Sequence, residues 1–84
     1  MLFRSNPVTT ISYDIIRDGY VELFIYNSAG KLVNELVAGH KTSGKKLITW
    51  NGTDQNKNLL PSGLYIYTIK TGVFTSTRKM ILMK

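Results

Sequence analysis

The 84-residue sequence has no cysteine. No disulfide can staple the fold, and no thiolate can serve as nucleophile or metal ligand. A cysteine-free chain suits a reducing or an oxidising compartment, so the redox setting stays open. There is one histidine, His40, which leaves nothing with which to build a two-histidine metal site. Acids are few, five Asp/Glu against eleven Lys/Arg, for a formal charge of +6. The basic residues are nevertheless scattered; the tightest groups are the pairs Lys45-Lys46 and Arg78-Lys79. No basic stripe is interleaved with aromatics, so no nucleic-acid partner is expected. No run approaches the ~20 apolar residues of a membrane span. The opening "MLFRSNPVTT" meets Arg4 after three residues and has no apolar core behind it, so it does not read as a signal peptide. Residues 1–5 read as a tail or linker remnant, and residues 6–84 as a single domain at the end of a longer precursor.

What is present is a succession of strands and turns. A chain this short buries only about 60–65% of its unfolded surface, so it needs one compact core. "VTTISYDI" alternates Ile11, Tyr13 and Ile15 against Thr10, Ser12 and Asp14. "YVELFIYN" places Val21, Leu23 and Ile25 on one face, and "LYIYTIKTG" does the same with Tyr65, Tyr67 and Ile69. Period two over such lengths is the strand signature. "KLVNELV" carries Leu32, Val33, Leu36 and Val37 at helical spacing, but the run is short for a helix and reads as a bulged strand. "AGHKTSGKK" reads as a loop, "KLITW" as a strand, and "VFTSTRKMILMK" as a last strand broken near Ser76. Gly30 marks one tight turn and Gly72 a hairpin. Six or seven short strands without a convincing helix predict an all-β, antiparallel, immunoglobulin-like β-sandwich of about seven strands. Trp50 is the expected central core residue.

The candidate chemistry is sparse. In "WNGTDQNKNLLPSGLY", Asp54, Asn56 and Asn58 alternate like the opening of a calcium loop. Counting from Asp54, however, Leu59 stands where the sharp-turn glycine belongs and Tyr65 where the bidentate glutamate belongs. Two readings remain: a weak calcium site at Asp54 and Asn56, or a turn built from Asn, Asp and Gly. His40 lies in a Gly/Lys/Ser/Thr stretch with Ser43 nearby, but "HKTSG" is no nucleophile elbow. The acids Asp14, Asp18, Glu22, Glu35 and Asp54 show no pattern that would bury one for acid–base work. Tyr13, Tyr20, Tyr26, Tyr65 and Tyr67 could stack on sugars or simply pack. No catalytic residue, resident metal or cofactor is expected, and elimination leaves an interaction module.

Five stretches, "NPVTTISYDI", "DGYVELFIYNSAGKLVNELV", "GKKLITWNGTD", "LPSGLYIYTIKTG" and "TRKMILMK", occur in order. Together they resemble the C-terminal sorting domain of type IX secretion cargo proteins, a pattern shared with the immunoglobulin-like domain of FlgD-like hook-capping proteins. The resemblance spans Asn6 to Lys84. Its landmarks are Asn6, Pro7, Gly30, Trp50, Gly52, Gly63 and Tyr65, with the ending Lys79-Met80-Ile81-Leu82. Asn51 stands where that family usually has Asp, the family's glycine near Lys57-Asn58 is missing, and the Asn-Pro opening is shortened. The resemblance implies a non-catalytic domain that directs an attached N-terminal cargo across the outer membrane. The export machinery would be its partner, and the destination, reached via the periplasm, the medium or the cell surface. Recognition would rest on Arg78, Lys79, Met80, Ile81, Leu82 and Lys84 in the last strand, read by strand addition, and on the turns at Gly30 and Gly63. The alternatives are a FlgD-like structural assembly domain and a carbohydrate-binding accessory sandwich.

Overall fold

A computed structural model describes residues 9–72 and 74–83. Asn6, Pro7 and Lys84, together with the tail of residues 1–5, lie outside the described residues. The strands are β1 (Thr9–Ile15), β2 (Gly19–Asn27), β3 (Leu32–Lys41), β4 (Gly44–Trp50), β5 (Gly63–Lys70) and β6 (Thr75–Leu82). Among the described residues there are six strands, where the sequence suggests about seven. They form two antiparallel sheets: a two-stranded one, β1-β4, and a four-stranded one ordered β3-β2-β5-β6. The predicted immunoglobulin-like all-β sandwich is therefore what the chain forms.

Alternation places each strand's apolar phase between the sheets. Ile11, Tyr13 and Ile15 of β1 meet Val21, Leu23 and Ile25 of β2, with Tyr65 and Ile69 of β5 and Leu82 of β6. Trp50 ends β4 at 1% exposure, its ring 5.3 Å from that of Tyr65 at 68°. This edge-to-face pairing suits the aromatic quadrupoles.

Two sequence expectations need correction. "AGHKTSGKK" is mostly strand: β3 continues through Lys41 and β4 begins at Gly44, leaving Thr42 and Ser43 as the connection. Glycine at 39 and 44 and exposed polar residues mimic a loop, but pairing of Tyr20 with His40 and Ile15 with Gly44 extends both strands. The last strand is also unbroken at Ser76, which pairs with Ile69 in a continuous register from Thr75 to Leu82.

The ambiguous "KLVNELV" is a doubly bulged strand. Val37 pairs with Leu23, Glu35 with Phe24, Asn34 with Ile25 and Leu32 with Tyr26, so Leu36 and Val33 have no partner on β2. Both pack against the core. Each bulge turns an extra apolar residue inward, so bulges account for a spacing that mimics a helix.

Candidate functional site

The long loop after β4 is built around the carboxylate of Asp54. Asp54 Oδ1 accepts the backbone N–H groups of Asn56 and Asn58, both at 2.9 Å, and Oδ2 accepts Asn58 Nδ2 at 3.3 Å. The backbone closes the same turn, Asp54 N–H donating to Asn58 O and Lys57 N–H to Asp54 O. These bonds, first that from the Asn58 backbone, hold the Asp54 carboxyl below its ordinary value of 3.8, against a smaller opposing effect of desolvation. The carboxylate organises a turn with its lone pairs. Among the described residues, no group of three or more His, Cys, Asp or Glu side chains could hold a metal ion.

The same loop is stitched onto the sandwich. Thr53 O accepts both Trp50 Nε1 at 2.9 Å and Asn34 Nδ2 at 2.7 Å, joining β4 to β3. Gln55 N–H donates to Val33 O, and Leu60 N–H to Gly52 O. Gly52 is buried with φ +77°, and a Cβ there would lie 3.1 Å from both Leu82 methyls. Farther on, the Tyr65 hydroxyl donates to Pro61 O at 2.7 Å, an arrangement of the tyrosine-corner kind. Burial raises the Tyr65 pKa, which keeps that donor protonated. "WNGTDQNKNLLPSGLY" is thus a clasp over the β3–β4 flank that also reaches β6.

The remaining candidates do not converge on a reaction centre. His40 is exposed on β3 opposite Tyr20. Ser43 uses its backbone N–H to reach Asp18 Oδ1 at 2.7 Å, tying two turns together. Among the described residues, no hydrogen bond joins His40 to Ser43 or to an acid. Tyr13 and Tyr65 are core residues and Tyr67 packs against them. Tyr26 and Phe24 are neighbours on the outer side of β2, but their rings are inclined at 52°, so they offer a sugar no single flat platform.

In the last strand Leu82 is 1% exposed and Met80 packs on the core; Arg78 shares their phase but is exposed, and Lys79 and Ile81 are exposed on the outer phase. Lys84 lies outside the described residues. The turn landmark Gly30 has φ +84°, and Asn27 Oδ1 accepts the N–H groups of Ala29 and Lys31 around it. Glycine adopts that φ without a Cβ penalty.

One surface escapes reading by single-face alternation. The outer side of the four-stranded sheet carries Leu32 opposite Tyr26, Tyr26 opposite Ile66, and Leu64 opposite Ile81. An apolar band therefore runs over β3, β2 and β5 in one row and over β5 and β6 in the next, with Leu32, Leu64 and Ile81 exposed and Lys79 opposite Ile66 at its border. The available signal is that the outward phases of β2 and β5 carry Phe24, Tyr26, Leu64 and Ile66 beside Glu22, Thr68 and Lys70, more apolar than a solvated face needs.

Two facing antiparallel sheets around Trp50, with a tyrosine corner at Tyr65, define the class of immunoglobulin-like β-sandwich domains. The FlgD Ig-like domain family matches residues 18–72, more than half of the chain, and the chain belongs to that family. The structure resembles FlgD from P. aeruginosa, with a TM-score of 0.70 and 22% identity over 89% of this chain and 58% of that one. It also resembles FlgD from Xanthomonas campestris, whose structure is described as giving insights into the hook capping essential for flagellar assembly. There the TM-score is 0.70 at 22% identity, over 92% of this chain and 56% of that one. The chain thus spans little more than half of either FlgD structure, and at this identity the likeness is one of fold. No curated protein matches.

Proposed function

We infer that this chain is a non-catalytic assembly domain that docks onto protein through the outer face of its four-stranded sheet. The observation that carries the reading is the apolar band formed by Leu32, Tyr26, Ile66, Leu64 and Ile81. A sheet face in water normally carries polar residues, and a contiguous apolar patch marks a contact surface. Membership of the FlgD Ig-like family supports an assembly role, because one FlgD structure is tied by its description to hook capping. The test is a chimera in which residues 6–84 replace the Ig-like domain of FlgD in a motile bacterium. Retained hook assembly, lost on Ile66→Lys, supports the reading. Hook assembly by the chimera and its Ile66→Lys form alike removes the outer face from the account.

A second reading rests on β6. It is an edge strand that shows Arg78, Lys79 and Ile81 to solvent, so export machinery could read it by strand addition. In that version the domain follows a cargo, crosses the periplasm and ends outside the cell. A fluorescent cargo fused to residues 6–84 would leave cells with a working type IX system and stay in the periplasm of a disabled strain. Retention in both strains ends the sorting version.

A further inference from the structure

The two flanks of the sandwich are closed differently. The narrow β1-β4 sheet covers a sheet twice its width, so inner-face surface projects past it on both sides. On the β4 side the Trp50–Leu60 clasp covers the projection, bonded to β3 at Val33 and Asn34. On the β1 side no described segment pairs with the free edge of β1 or covers the projecting parts of β5 and β6. A groove of about 270 Å³ runs there, walled by Tyr13, Asp14 and Ile16 and floored by Tyr67, Phe74 and Arg78. Ile16 is 72% exposed, Phe74 is at the edge of exposure, and Tyr67 is half-buried. Arg78 forms no ion pair among the described residues.

We propose that this groove accepts one extended strand of a partner polypeptide, bearing apolar side chains at alternate positions and a carboxylate facing Arg78. The free β1 edge presents backbone N–H and C=O groups at strand spacing, which an extended chain satisfies and a helix or a small ligand does not. Successive side chains of an added strand alternate in direction, so every second one meets Tyr67, Phe74 and Ile16. The inward position over Arg78 selects an acid, since its guanidinium has no ion pair among the described residues, while Asp14, also on the groove, belongs to the exposed outward phase of β1. The +6 charge of the chain favours an acidic partner over a second copy of itself. The strand would sit as a third member of the β1-β4 sheet, on the opposite side from the outer-face band.

The test uses the whole 84-residue chain and two synthetic peptides, Val-Thr-Glu-Thr-Val-Thr and Val-Thr-Lys-Thr-Val-Thr. Amide NMR should show the first peptide shifting β1, Tyr67 and Arg78 resonances and slowing hydrogen exchange along β1. The second peptide should bind about tenfold or more weakly. Arg78→Glu should reverse that preference, while Lys31→Glu, the same charge change at an exposed position beside the Gly30 turn, should leave it intact. Equal affinity for both peptides, shifts confined to β6's outer edge or to the outer sheet face, or β1 protection caused by self-association without peptide would each overturn the proposal.

Discussion

At the scale of single residues, Trp50, Gly52 and Asp54 hold the clasp in three physically distinct ways. Trp50 fills the space between the sheets and donates its indole N–H to Thr53 O. Trp50→Ala should cost about 3–5 kcal/mol in urea unfolding, much of what a domain of this size has. Gly52 is required by shape: an alanine there is strained at φ +77° and its Cβ meets Leu82. Gly52→Ala should lower stability by about 1–3 kcal/mol, read as an earlier urea midpoint with an unchanged slope. Asp54 acts through charge. Its folded pKa lies below the ordinary 3.8, so the folded state binds its proton less readily than the unfolded chain does. Its contribution is therefore complete above the unfolded value and is lost as pH falls through the folded one. Asp54→Asn keeps an acceptor oxygen but should flatten the acid limb of the stability–pH curve below about pH 4.

At the scale of elements, β6 mixes two roles that truncation cannot separate. Removing Lys79 to Lys84 removes Leu82, which is in the core and in contact range of Gly52, so loss of export after that deletion would also report unfolding. Substituting Arg78, Lys79 and Ile81 together by serine touches only exposed positions. That triple variant should keep the wild-type urea midpoint within about 0.5 kcal/mol per site, so an export defect in it would belong to recognition. β3 carries a different lesson. Its helical spacing and Gly39 argue against a plain strand, and pairing with β2 overrides both, with bulges at Leu36 and Val33. Local sequence shows that those residues are apolar; only the partner strand shows which ones are extra.

At the scale of the whole molecule, β2 pairs with β5 across a wide sequence separation, as in Glu22 with Lys70. Such non-local pairing must close long loops before its contacts form, so folding should take about milliseconds to seconds. Trp50 touches the clasp and the β5 ring of Tyr65, so its fluorescence reports the joining of the two sheets. Fluorescence and far-UV circular dichroism should unfold at the same urea concentration. Separate midpoints would mean that the β1-β4 sheet detaches as a unit.

The sequence by itself determined the all-β class, the inward phases of β1, β2 and β5, and the turn at Gly30, because period two and glycine's backbone freedom are local properties. It also carried a resemblance to FlgD-like immunoglobulin domains, the part of the resemblance that the family match over residues 18–72 shows. Tertiary structure decided how the strands divide between a sheet of two and a sheet of four. It set the Asp54 carboxylate to holding its own loop, gathered an apolar band from β3, β2, β5 and β6, and closed one flank with the clasp while no described segment covers the other. These outcomes depend on which strands become neighbours, a choice made by long-range packing and backbone pairing that no single stretch encodes.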